Sequence, residues 1–127
     1  MKVRATAWSR LGQNATFGGV GLMEVVKDRP DIQFVTADVS SLLGLKRYKD
    51  MYTLQYVDVG IAEQNMVTVA AGMAYEGNCV FASTYAAFIA LRGLDQIRHK
   101  LGYRKANVKL VGMSSGACTG KSGISHW

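Results

Sequence analysis

Val57-Asp58-Val59-Gly60-Ile61-Ala62-Glu63-Gln64-Asn65-Met66 reads as the end of an apolar strand, a glycine turn and the opening of a helix with a carboxylate in its first turn. Such a turn sets one acid at the carboxyl end of a strand, where the ligands of open, parallel α/β sheets gather. The strand is expected over Thr53 to Val59 and the helix over Ala62 to Tyr75, with Gly77 as its stop signal.

Outward from this stretch the same alternation repeats. Upstream, Ile32 to Ala37 is a β-rich run closed by Asp38, and Val39 to Tyr52 reads as loop or irregular helix. Thr6 can cap a helix from about Ala7 to Lys27, with Trp8, Leu11, Ala15, Leu22, Val25 and Val26 on its apolar stripe and Pro30 beyond its end. Gly18, Gly19 and Gly21 interrupt that stripe, since each costs up to about 1 kcal/mol against alanine in a helix; close packing or a bend would explain them. Downstream, Cys79 to Ala82 is a short strand, Thr84 can cap a helix from Tyr85 to about Leu101 that stops at Gly102, and Val108 to Met113 is a fourth strand. A loop rich in glycine and serine follows. Strands alternating with helices predict an α/β fold, a mostly parallel, doubly wound sheet with helices on both faces. The chain stops just after the glycine- and serine-rich loop, where such a domain normally continues. Residues 1–127 are therefore expected to be one truncated domain.

Composition narrows the function. A length of 127 residues suits one domain with a real core. No apolar run approaches the roughly 20 residues of a membrane span, and the N-terminus lacks a signal-peptide core, so a cytoplasmic protein without a membrane partner is expected. Cys79 and Cys118 form neither a metal knuckle nor a redox pair and are read as reduced thiols. The formal charge is +6, but the basic residues are spread out rather than interleaved with aromatics, which argues against a nucleic-acid partner. Ser115-Gly116-Ala117-Cys118-Thr119-Gly120-Lys121-Ser122 nearly spells a phosphate-binding P-loop. Its first glycine is one place late, and the five residues after Ser122 leave no room for the helix whose N-terminus helps to bind phosphate.

Val67 to Gly72 is small and apolar, Phe81-Ala82-Ser83-Thr84-Tyr85 follows, and then come Phe88, Arg92 and Asp95-Gln96-Ile97-Arg98. With the GIAEQN motif, this combination resembles the pyrimidine-binding domain of the transketolase family, enzymes that use thiamine diphosphate. The resemblance runs from about Thr6 to His126. It implies that Glu63 contacts the ring nitrogen N1′ of the cofactor's aminopyrimidine. Burial beside an apolar pocket favours the protonated form of a carboxyl group, and a proton-sharing acid at N1′ favours the imino form of the 4′-amino group, which can then deprotonate the thiazolium. The cofactor carries the carbanion chemistry while the protein orients and polarises it. Without the resemblance, an acid in a first helical turn is explained by the helix dipole alone.

The resemblance further places Tyr85 and Phe88 around the pyrimidine ring, where aromatic faces stack on a flat heterocycle and exclude water. Leu91 stands where some relatives have a third aromatic, and Ile61 belongs to the same cofactor-binding set. The spacing of Tyr85 and Phe88 equally suits helix-core packing. Asp38 matches an acid near the thiazolium, and a loop-capping role suits it as well. His126 matches a catalytic histidine near the reacting carbon. Arg92 and Ser122 are the substrate-side candidates. A structural or subunit-contact role suits Arg92, Asp95 and Arg98 on one helix, the last two three residues apart and able to pair.

Several positions depart from the family pattern. Ser122 stands where many relatives have an acid that contacts substrate hydroxyls, Ser114 where ordinary transketolases have another histidine, and Ala7 where an arginine commonly binds substrate phosphate. The resemblance therefore implies ketol transfer between sugars with the substrate class open. Rival readings are a deoxyxylulose-phosphate-synthase-like enzyme and a non-catalytic assembly module. The cofactor would be thiamine diphosphate with Mg²⁺ or Ca²⁺. The diphosphate and metal ligands would come from a partner domain or subunit, since no GDG signature occurs here. A homo- or hetero-oligomer is expected.

Overall fold

In the computed structural model, which describes residues 12–127, four strands form one sheet in the order β2-β1-β3-β4, all parallel. The strands are β1 (Ile32–Thr36), β2 (Tyr56–Asp58), β3 (Cys79–Tyr85) and β4 (Val108–Met113). β1 is paired on both sides, with Thr36 in register with Asp58 of β2 and with Ser83 of β3. The connection after β1 leads to one neighbour, and the connection after β2 passes back over β1 to the other. That reversal opens a crevice at the carboxyl ends of β1 and β3.

Side chains alternate across the sheet and build two cores. On one face Ile32 and Phe34 pack with Leu22, Val26, Leu43, Leu45 and Tyr48. These come from helix α1 (13–26), the turns that follow β1, and helix α2 (Lys46–Met51). On the other face Val35, Val80 and Ala82 pack with Met66, Val67 and Ala70 of α3 (Glu63–Tyr75) and with Ile89 of α4 (Ala86–Leu91). A further helix, α5 (94–103), adds Ile97 and Leu101 to that core. Among the described residues no helix is long and apolar enough to cross a membrane.

The expected fold class is the observed one, with local corrections. The expected cap Thr6, with Ala7, Trp8 and Leu11, lies outside the described residues. The helix described begins at Gln13, because Gly12 has a φ of 75° that no helix accommodates. The middle of α1, Phe17–Gly21, is π-helical, and one glycine there has a packing reason. Gly18 is buried, and a Cβ on it would overlap the Leu43 carbonyl oxygen. β2 is shorter than Thr53 to Val59. The Thr53 hydroxyl donates to the Lys49 carbonyl, keeping Thr53–Gln55 in a 3₁₀ turn, and the Gln55 amide donates to the Ile32 carbonyl.

β3 is longer than Cys79 to Ala82. Its pairing with β4 carries the ladder through Thr84 to Tyr85, so Thr84 is a strand residue and caps nothing. The helix expected from Tyr85 to Leu101 is broken at Gly93. Its N–H and that of Arg92 both bond the Phe88 carbonyl, and a new helix starts at Leu94. Gly102 does not stop α5, whose π-helical end runs through Ile97–Tyr103. The P-loop-like stretch folds into an irregular 3₁₀ segment, Gly116–Ser122.

The surroundings of two helical glycines set opposite expectations for stability. Gly18→Ala should destabilise the fold by about 1–3 kcal/mol or more, the cost of overpacking against a fixed carbonyl. Gly72→Ala, in α3 with nothing within 4 Å of its added Cβ, should gain about 0.5–1 kcal/mol. Urea unfolding midpoints of the two variants check both signs. Burial pushes the Tyr48 and Tyr56 hydroxyls from 10.0 up to about 12. Their folded-state preference for the neutral phenol is complete below pH 10 and is lost as pH rises to about 12, so stability should fall across that window. Denaturant unfolding read beside phenolate absorbance would show it.

Candidate functional site

The crevice holds a cavity of about 410 Å³. Ala37, Asp38, Val39, Ser41 and Leu42 line it from the segment after β1, Ile61 and Glu63 from the segment after β2, and Thr84, Tyr85, Phe88 and Arg92 from β3 and α4. His126 reaches it from a 3₁₀ turn, Ile124–His126. Three strand ends therefore deliver every wall but one.

Glu63 is the first residue of α3, and its side chain is 6% exposed. A carboxylate at this depth needs a partner. It has one in Arg92, whose Nη1 donates to Glu63 Oε1 at 3.0 Å. The same guanidinium lies 3.9 Å from the Phe88 ring centroid. Arg92 thus presents a planar, cationic donor stacked on an aromatic ring and bonded to the buried acid. The break at Gly93 separates it from Asp95 and Arg98, which pair with each other at 2.9 Å in solvent on α5. The expectation of three charged residues on one helix fails for that reason. The Arg98 guanidinium beside Asp95 holds its carboxyl below the usual carboxylate range.

Tyr85, Phe88 and His126 form an aromatic trio. The Tyr85 and Phe88 centroids are 5.5 Å apart, and the His126 ring meets them edge-on at 5.0 and 4.9 Å. The His126 carbonyl accepts from the Thr119 hydroxyl at 3.3 Å, and its Nδ1 lies 2.9 Å from Ser125 Oγ. Thr84 is fully buried, and its Oγ1 has no hydrogen-bond partner. Such a group normally finds one, and Thr84 lies against the cavity beside Tyr85. Sequence reasoning gave it the wrong task, a helix cap. Its lone hydroxyl became legible only once β3 was seen to continue to Tyr85.

The other expected residues divide. Ile61 lines the cavity although it is 76% exposed. Asp38 lines it too, in the left-handed region at φ 57°. Leu91 is 75% exposed and Ser122 is exposed, and neither lines the cavity. Leu91 is the last residue of α4, where the helix ends and turns away. Cys79 and Cys118 are free thiols.

The fold and its switch point define a parallel α/β domain with a buried acid beside aromatic rings, and comparison with known proteins gives that domain a family. The family model for "Transketolase, pyrimidine binding domain" matches residues 16–127. This chain belongs to that family. It is 36% identical to an apulose-4-phosphate transketolase subunit of Phocaeicola vulgatus, over 83% of this chain and 34% of the relative. It is 34% identical to a putative transketolase C-terminal section of Methanocaldococcus jannaschii, over 85% of this chain and 34% of the relative. It is 37% identical to the 1-deoxy-D-xylulose-5-phosphate synthase of Renibacterium salmoninarum, over 83% of this chain and 16% of that protein. Among solved structures, one described as a split gene transketolase, inactive beta4 tetramer, superposes with a TM-score of 0.70 at 34% identity, over 78% of this chain and 33% of that one. The chain spans about a third of the length of the first two of these relatives.

The pairing of Glu63 with Arg92 can be weighed by a double-mutant cycle. Arg92→Leu alone should cost about 1–2 kcal/mol, less than a fully buried pair because the arginine side chain is 49% exposed. Combined with Glu63→Gln, the loss should be smaller than the sum by about 0.5–2 kcal/mol. Strict additivity in denaturant unfolding would mean that solvent screens the pair completely.

Proposed function

We propose that this chain is the pyrimidine-binding half of a thiamine-diphosphate-dependent transketolase, active only in a complex that supplies the rest of the site. The observation that carries the reading is Glu63, a buried carboxylate at the mouth of β2 facing a cavity walled by Tyr85 and Phe88. The residues fit a flat heterocycle with a polar edge. Two rings are available for stacking, Glu63 has a second oxygen, Oε2, in addition to the one that Arg92 holds, and the orphaned Thr84 hydroxyl lies alongside.

In this reading Glu63 Oε2 would share a proton with the N1′ position of the ring, and the cavity walls would keep water from that contact. Tyr85 and Phe88 orient the ring by stacking, and Ile61 covers its edge. The bound cofactor supplies a stabilised carbanion, the chemistry that two-carbon ketol transfer between sugars requires. Asp38, which lines the same cavity as Glu63, would meet the thiazolium, and His126 would serve the substrate proton. Arg92, half exposed at the rim, keeps its bond to Oε1 and would face the substrate side as a cation.

The diphosphate and its Mg²⁺ or Ca²⁺ are assigned to a partner domain or subunit. Among the described residues no cluster of three or more His, Cys, Asp or Glu side chains is placed to hold a metal. A split enzyme is supported by relatives named as a transketolase subunit and a transketolase C-terminal section. A homo- or hetero-oligomer in the cytoplasm, with sugar substrates and neither nucleic acid nor membrane as partner, completes the proposal. A second reading, pyruvate decarboxylation in the manner of a deoxyxylulose-phosphate synthase, is favoured by the 37% identity to a protein of that name. Product analysis of the reconstituted complex separates the two.

Calorimetric titration of thiamine diphosphate with Mg²⁺ tests the proposal, using the chain alone and with a diphosphate-binding partner. Tight binding in the complex, little without it, and at least about tenfold weakening by Glu63→Gln are expected. Ketol transfer by the isolated chain would overturn the split-site reading. Absence of binding in the complex would make the chain a non-catalytic member of its family.

A further inference from the structure

Asp58 ends β2 in register with Thr36, and its carboxylate bridges the two segments that part there. The last main-chain link between them runs from the Val59 N–H to the Thr36 carbonyl at 3.0 Å. Beyond it Asp58 takes over. Its Oδ1 accepts the Asp38 N–H at 2.9 Å and the Gly60 N–H at 3.0 Å, while Oδ2 accepts the Tyr56 hydroxyl at 3.3 Å. Both amides belong to residues with positive φ, 57° at Asp38 and 73° at Gly60. At Asp38 that backbone is unfavourable for a residue with a Cβ and has to be held by its surroundings.

These two residues belong to two of the segments that wall the cavity. Asp38 and Val39 follow β1, and Gly60 leads to Ile61 and Glu63 after β2. One carboxylate oxygen therefore ties the wall that carries Asp38 to the wall that carries Glu63. Hydrogen bonds from N–H to an ionised acceptor are the stronger kind. The Tyr56 phenol, neutral well above pH 7 because burial pushes it up to about 12, serves Asp58 as a donor.

We infer that Asp58 is a positioning residue of this site. Its Oδ1 fixes the separation and mutual orientation of the two walls, and so the width of the slot in which a planar heterocycle meets Glu63. The inference rests on the function proposed above. Asp58 touches no part of the cavity lining itself except through its hydrogen bonds, and it is exposed, so its replacement leaves both cores intact. It acts on the cavity through Asp38 and Gly60. An asparagine retains the oxygen that bridges the two amides and loses the charge and the acceptor for the Tyr56 hydroxyl, whereas an alanine loses both amide links as well.

The test uses the full chain as wild type, Asp58→Asn and Asp58→Ala. Amide exchange is read at Asp38 and Gly60 by NMR, and thiamine diphosphate affinity is read by calorimetry in the complex with the diphosphate-binding partner. Asp58→Ala should speed exchange of those two amides about tenfold or more and weaken cofactor binding by about tenfold. Asp58→Asn should stay within about threefold of wild type in both, a rescue that bulk destabilisation would not produce. Unchanged exchange in the alanine variant overturns the inference, as does unchanged affinity in a complex whose wild type binds. If the wild-type complex binds no cofactor, the functional reading has failed instead. The exchange result then decides the clamp by itself, faster exchange restored by asparagine supporting it and unchanged exchange overturning it.

Discussion

Parallel pairing of β1 on both of its edges is the constraint on which the rest of the molecule depends. A parallel strand cannot be joined to its neighbour by a tight turn, so each connection must cross a face of the sheet. Because β1 is followed by β2 on one side and, after α3, by β3 on the other, the crossings cover opposite faces and separate above β1. Among the described residues no connection crosses that gap, and the cavity lies there. Its chemistry then depends on which residues fall at three strand ends: an aspartate in a left-handed turn, a glutamate opening a helix, and a threonine–tyrosine pair closing β3.

The electrostatics of the gap are economical. Among the described residues one acid is buried, and half-exposed Arg92 pairs with it while stacking on the aromatic wall. An ion pair of this kind adds little to stability compared with a well-packed apolar pair, because desolvation consumes most of the attraction. Its retention at the mouth of a cavity is better understood as keeping a carboxylate in a place where water cannot serve it.

The fold class was legible because its signals are local. Alternating apolar runs and helix stops recovered all four strands, and Val108 to Met113 matched at both ends. The GIAEQN turn gave the buried acid directly. What escaped was set by neighbours. β3 runs to Tyr85 because β4 pairs with it there, which no local propensity at Thr84 reveals. The helix after it breaks at Gly93, whose effect depends on the double use of the Phe88 carbonyl. That break moved Arg92 into the cavity and left Asp95 and Arg98 outside it. Leu91 falls outside the cavity for the same reason, since its exposure follows from a helix end that a continuous periodic pattern does not show. Asp58 was in plain view within the quoted motif, but one of its acceptor bonds reaches a segment twenty residues upstream.

Beneath the cavity floor two side-chain hydroxyls run crosswise to the strands. Thr36 Oγ1 donates to the Ser83 carbonyl at 3.0 Å, and Ser83 Oγ donates to the Val111 carbonyl at 2.8 Å. Each gives a main-chain oxygen a second donor besides its ladder partner, and both residues are fully buried. Strands in a parallel sheet can in principle slide past one another by two residues and keep the same faces buried. A slip that brought Phe34 to the height of Thr36, or Phe81 to that of Ser83, would put an aromatic ring where each hydroxyl is needed. The rungs therefore act as a ratchet pawl, and the heights of the strand ends are fixed relative to one another before any ligand arrives.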